Sequence, residues 1–392
     1  MSSPHPAKRG ASSPLTPSPV QEVRERERRD DRQQTPLDAR LASVPEEIFR
    51  PRRMTRALFG LCLAALLFAV LLGVSVGAVS IPVTTVAHLL FVRLLRLPVT
   101  LNYPEMFTII LFDIRLPRVV LMGLTGAALA AGGATYQGLF RNPLADPYLV
   151  GVASGAGLGA TIIISMGLPV TGLGLMAVPV GAFLGGVLTV GLVVMMAQVG
   201  RTTPVTTLLL AGVAVGSFAT AITTFWMLRS PEGLSRAFRW LLGGYAGGGW
   251  QPVWIVVPYL AVGLILLQLN ARALNVLQLD EEQARQLGLN VDRLKLVLVG
   301  AATLMTAAAV SFGGLIGFVG LVVPHILRML GGPDYRRLIP LSALGGAAFL
   351  ILADLIARTV FAPQELPVGV ITALTGAPFF IVLLRRLKRS VF

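Results

Sequence analysis

The chain has 392 residues, of which 54% are hydrophobic and only 13% charged, with a mean hydropathy of +0.75. Soluble domains carry about a quarter charged residues, so a water-soluble globular fold is excluded. The formal net charge of +14 reads as positive loops kept on the cytoplasmic side of a membrane, in preference to a nucleic-acid surface.

Residues 1–53 are rich in Ser, Pro and Arg and hold the mixed-charge run QEVRERERRDDRQQ at 21–34. Such a segment buries too little apolar surface to offset its ordering entropy. It is expected to be a disordered cytoplasmic tail, with a regulatory or docking role as the alternative. The tail separates the N-terminus from the first apolar run, which argues against a secretory signal. Residues 54–392 are expected to form one transmembrane domain. Within it, ten apolar stretches approach the roughly 20 residues needed to cross about 30 Å of hydrocarbon as helix. They fall near 57–79, 117–139, 147–167, 174–198, 205–228, 251–270, 294–312, 314–331, 338–358 and 367–387. The seventh and eighth nearly join at SFGG, so nine spans is the competing count. The fold class is therefore all-α, with about ten transmembrane helices.

Ten spans with a cytoplasmic N-terminus return the C-terminus to the same side and leave most Lys and Arg there, as the positive-inside rule requires. Against that bias, Arg93, Arg96, Arg115, Arg118, Arg229, Arg236, Arg239 and Arg358 are expected outside. An acidic partner arriving from outside is one reason for such a set; solvated loop arginines are the other, favoured for Arg93 and Arg96. Asp354 and Arg358 are four apart and suit a helical ion pair.

The membrane interior is as informative for what it lacks. The acids after the tail fall in loops or near span ends, and His325 is the sole histidine inside a span. Ion-coupled transporters keep ionisable groups at membrane depth, so a proton or sodium relay is not expected. The three lysines, Lys8, Lys295 and Lys388, lie in no phosphate-binding loop of the G-x-x-x-x-G-K-[ST] kind. Any energy from ATP must enter through another protein. Cys62 is the only cysteine, which rules out an intrachain disulfide and a Cys/His metal cluster.

Gly151, Gly155 and Gly159 recur every four residues, as do Gly181 with Gly185 and Gly212 with Gly216. Small residues at this spacing let helix backbones approach closely in lipid. The polar stretch DEEQARQLGLN, 280–290, stands apart within the loop 275–292; it forms helix up to Leu287 and then meets Gly288, a C-terminal stop. Docking of a cytoplasmic motor and simple solvation are equally open for it on these grounds.

Several longer stretches carry a resemblance: RLPR (115–118), GAALAAGG (126–133), QGLFRNPLADPYLVGVASGAGLGA (137–160), LLLAGVAVG (208–216), ARQLGL (284–289), GLIGFVGLVVPHILRMLGGPDYR (314–336), DLIAR (354–358) and ELPVGVITALTGAPFFIVLL (365–384). In these the sequence from 57 to 388 resembles the FecCD family, the permease subunits of type II ABC importers for iron chelates, haem and cobalamin. The resemblance implies a ten-helix bundle in a bacterial cell membrane, paired with a second permease copy. It also implies two cytoplasmic ABC ATPases that bind the ATP and Mg, no cofactor in this chain, and an extracytoplasmic substrate-binding protein. Arg115, Arg118 and Arg358 match positions that receive acidic residues of the binding protein. Glu282, Ala284, Leu287 and Gly288 match the ATPase-coupling helix, and Thr206 and Thr207 match the cytoplasmic gate. RNPLADP becomes a cytoplasmic turn in which Pro143 ends one helix and Pro147 starts the next. Two readings of other classes compete: an ion-coupled secondary transporter or channel, and a membrane-embedded enzyme, for which His325, Asp334 and Asp354 are too scattered to make a site.

Overall fold

A computed structural model describes residues 52–389, apart from Ala78, 96–103, 169–173, Arg201 and 246–247. The expected tail therefore lies outside the described residues, except for Arg52 and Arg53, which open the first helix. Among the described residues the regular structure is helical, with one isolated bridge between Val199 and Thr202. The helices are α1 (Arg52–Ser75), α2 (Val83–Leu95), α3 (Glu105–Ile109), α4 (Leu116–Leu139), α5 (Val152–Ser165), α6 (Gly174–Ala197) and α7 (Val205–Arg229). They continue as α8 (Pro231–Leu241), α9 (Gln251–Leu277), α10 (Glu281–Gln286), α11 (Val291–Gly313), α12 (Val319–Gly331), α13 (Tyr335–Thr359) and α14 (Val368–Arg389). A π-helical turn, Ile110–Arg115, joins α3 to α4, and a 3-10 turn, Pro147–Val150, precedes α5.

Each of the ten expected spans coincides with one of these helices. Six of them, α1, α6, α7, α9, α11 and α13, are long and apolar enough to cross a membrane. Prolines open α4, α8 and α9, where their missing N–H costs nothing. Gly314 and Gly332, both at positive φ, follow the ends of α11 and α12.

The helix at the centre, α4, is buried along almost its whole length and packs against α9, α11, α12 and α13. Its own side chains explain how so many neighbours fit. A Cβ added at Gly126 would lie 2.1 Å from the carbonyl oxygen of Gly346 on α13, and one at Gly133 would lie 1.9 Å from that of Gly320 on α12. Neither site has room for any side chain. The same device joins α5 to α6: a Cβ at Gly159 would sit 2.0 Å from Gly181 O, and one at Gly155 would sit 2.3 Å from Gly185 O. Gly212 of α7 approaches Leu149 O in the same way. On the periphery the pattern inverts, and Leu188, Leu210, Phe218, Trp254 and Leu269 are exposed. An apolar exterior over a small-residue interior is the arrangement that lipid favours.

Four features depart from the expectations. Helices α2 and α8 occupy segments expected to be outer loops. The sixth span runs on to Leu277. The third is shorter than expected, because Pro147 opens a 3-10 turn and the α-helix waits until Val152, after Gly151 at φ 90°. The eighth is shorter as well, since 314–318 is irregular and Phe318 takes a left-handed φ of 68°. That irregular stretch separates α11 from α12, giving the larger of the two counts.

The shortened spans also correct the picture of 141–147 as a plain turn. A Cβ at Gly132 would lie 3.5 Å from Pro147, and Gly132 is about 10 Å from the end of α4 at the helical rise. The segment therefore folds back along α4. There Asp146 accepts a hydrogen bond from the Tyr148 N–H at 2.9 Å, and the Tyr148 hydroxyl both accepts from Ile316 N and donates to Ile316 O, each at 3.1 Å. Asp146 thus stands deeper in the bundle than the sequence indicated.

Candidate functional site

The two ends of the bundle carry different chemistry. At the end where α1 and α13 finish and α4 begins, Asp354 is the hub. The Arg118 guanidinium grips it through Nε, at 3.1 and 3.0 Å to the two carboxylate oxygens, and through Nη2 at 2.8 Å. Arg118 Nη1 also donates to Glu365 at 2.9 Å, and its guanidinium lies 5.5 Å from the centre of the Tyr245 ring. Arg358, one turn beyond Asp354, stands 3.7 Å from the same carboxylate and donates to the Gly73 carbonyl. Arg115 donates to Val74 O and Ser75 O, both at 3.0 Å, and to Val79 O.

The local cause is the end of α1. The last carbonyls of a helix have no partner within it, and cations are favoured at that terminus. Arg115 and Arg358 supply donors to Gly73, Val74 and Ser75. The three arginines expected at a docking surface are indeed neighbours, but their guanidinium groups are turned into the protein. Arg115 and Arg358 are only 5% and 9% exposed. Arg358 pairs with Asp354 as its i, i+4 spacing allows; the Arg118 clasp on the same carboxylate bridges 236 residues of sequence and has no local signature.

At the opposite end, α10 sits below the start of α11. Asp280 precedes it and pairs with Arg141 at 3.0 Å, a hydrogen bond that holds Asp280 below the usual carboxylate range. The helix stops as its sequence indicates: Gly288 takes φ 84°, its N–H reaches Arg285 O at 2.9 Å, and Leu289 N reaches Ala284 O at 3.0 Å. These paired bonds form a Schellman stop. Ala284 is fully buried against the bundle, while Glu282, Leu287 and Gly288 are exposed. A buried small anchor beneath an exposed leucine and glutamate leaves the outward face open to a partner.

Two rungs tie α10 to the chain just before α7. Lys295, on α11 and 2% exposed, donates to Glu281 at 2.7 Å and to the Thr203 carbonyl at 2.9 Å. Asp292 accepts from the Thr203 N–H at 3.0 Å and pairs with Arg285 at 3.3 Å. Pro204 follows, and α7 begins. Thr207 donates to Pro204 O at 2.8 Å and to Ala197 O at 3.1 Å, joining the end of α6 to the start of α7, whereas Thr206 is exposed. Sequence reading singled out Thr206 and Thr207 but gave Lys295 and Asp292 no role. Lysine inside an otherwise apolar span was the available signal.

Among the described residues no group of three His, Cys, Asp or Glu is placed to hold a metal ion. The sequence model of the FecCD transport family matches residues 65–386. The chain belongs to that family. It is therefore a permease subunit of the type II ABC importer kind, a multi-pass transport subunit whose ATPase is a separate protein. Over 323 residues, covering 82% of this chain and 91% of the relative, it is 42% identical to an uncharacterized ABC transporter permease, YvrB, of Bacillus subtilis. It is 45% identical over 309 residues to the cobalamin import permease BtuC of Halobacterium salinarum, covering 79% and 80% of the two chains. With the hemin transport permease HmuU of Yersinia pestis it shares 41% identity over 281 residues, covering 71% and 84%. A solved structure described as an inward-facing metal-chelate type ABC transporter superposes with a TM-score of 0.73 at 29% identity, covering 84% of this FecCD permease and 99% of the other chain.

Proposed function

We propose that this FecCD permease carries a metal chelate, namely an iron–siderophore complex, haem or cobalamin, into the cytoplasm by alternating access. It works as a pair of identical chains in the cell membrane, with two ATPases seated against α10 and a substrate-binding protein at the Arg118 end. Both termini then face the cytoplasm. The observation that carries this is the family membership, with cobalamin and hemin permeases among relatives above 40% identity. The shape of α10 supports the ATPase contact: Ala284 anchors it, and Glu282, Leu287 and Gly288 form the face offered to the motor. Thr206 and Thr207, at the start of α7, form the gate, and Gly151, Gly155 and Gly159 hold α5 in the bundle beside it.

For the binding protein, the different exposure of the three arginines supports a division of labour among them. Glu365 is 53% exposed on its Arg118 partner, so an incoming carboxylate can replace it on Arg118 Nη1. Arg115 and Arg358 hold the platform by clamping the end of α1. Substrate class is tested by purifying the cognate binding protein and titrating it with ferric siderophores, haem and cobalamin, then measuring uptake of the tightest ligand by the full complex. ATP-dependent uptake of one of these chelates is expected. Binding of none of them, with transport of a different solute, would overturn the assignment.

A further inference from the structure

We infer that Lys295, with Asp292, is the strut through which movement of α10 reaches the gate helix α7. This rests on the coupling role proposed for 280–290 and the gate role proposed for Thr206 and Thr207. The two rungs share one construction. Glu281 and Arg285 lie one turn apart on α10, and Asp292 and Lys295 lie one turn apart on α11. Lys295 joins Glu281 to the Thr203 carbonyl; Asp292 joins Arg285 to the Thr203 N–H. The backbone of Thr203 is thus gripped at its donor and its acceptor by opposite charges, and each charge is held in turn by α10. A single contact would leave Thr203 free to rotate about it; two contacts on either side of one residue fix its orientation.

The path onward is equally short of slack. Pro204 has no N–H and a locked φ of −62°, and Val205 already belongs to α7. Thr207 closes the turn onto Ala197, so displacement of Thr203 moves the start of α7 together with the end of α6. Charge-assisted hydrogen bonds are short, strong and directional, which suits transmission. For stability alone, a buried lysine is a poor choice beside a hydrophobic residue of similar volume, so its presence at 2% exposure calls for a role beyond packing.

The test uses the permease assembled with its ATPase in lipid. Leu287→Cys reports contact with the ATPase through crosslinking, and spin labels at Thr206→Cys in the paired chains report the gate as a distance with and without ATP. Lys295→Met is expected to keep the crosslink, lose the ATP-driven change in gate distance, and lower uptake about tenfold, within the usual range of coupling between sites. Lys295→Arg, which keeps the donors, should restore both. If Lys295→Met fails to fold, the double change Glu281→Gln with Arg285→Gln cuts the same rungs from α10 and is expected to act alike. A gate that still moves fully with ATP in a correctly crosslinked variant overturns the strut. Loss of the crosslink in the otherwise unaltered complex instead overturns the coupling role of α10, and the strut with it.

Discussion

Asp354 shows how one carboxylate organises an end of a membrane bundle. Its side chain is 2% exposed and is shared between Arg118 and Arg358. Removing it leaves the Arg358 guanidinium without a carboxylate partner and Arg118 with Glu365 alone, and breaking a buried pair of this kind costs about 3–5 kcal/mol. Asp354→Ala is therefore expected to lower the melting temperature in detergent sharply, while Glu365→Gln, at the exposed side of the same cluster, shifts it little, as a surface pair worth about 0–1 kcal/mol would. Equal shifts for the two would show that Asp354 is not the hub. Arg115→Glu strips Val74 O and Ser75 O of their donor, so any effect of that change on the docking proposed for this end must be read against stability. The sequence disclosed Asp354–Arg358 through spacing alone. Arg118–Asp354 and Lys295–Thr203 join distant segments and became visible only in three dimensions.

Helices α5 and α6 meet through glycine at a distance no other residue allows, and α7 meets the 3-10 turn before α5 in the same way through Gly212. Gly159→Leu would force α5 from α6 and cost about 1–3 kcal/mol or more, as overpacking does. Gly191, on an exposed face of α6 with nothing near its missing Cβ, is the control: Gly191→Ala should be neutral or stabilising by about 0.5–1 kcal/mol. Melting temperatures of the two variants check this, and equal tolerance at both would sink the close-packing account. The elements were legible where long uncharged runs repeat. They were not legible where α2 is short or where α8 turns Gly233, Ala237 and Trp240 inward and Arg236 and Arg239 outward, because neither reaches the length of a span. The shortened α5 and α12 were missed for a related reason: Gly151 and Phe318 break apolar sequence by backbone conformation, and hydropathy does not register that.

At the scale of the whole molecule, the bundle joins an end of clamped arginines to an end where the outward face of α10 is exposed, through an interior of small residues without a metal site among the described residues. Asp146 is an ionisable group that sits deeper than expected, and its hydrogen bond to Tyr148 N caps a 3-10 turn, a structural use. As a FecCD permease, the chain takes its drive from a separate ATPase. The direct test is uptake into proteoliposomes containing this chain with its ATPase and binding protein, compared with vesicles containing this chain alone under an imposed proton or sodium gradient. Accumulation of chelate only in the complete system and only with ATP is the expected result; accumulation by the chain alone along an ion gradient would contradict it.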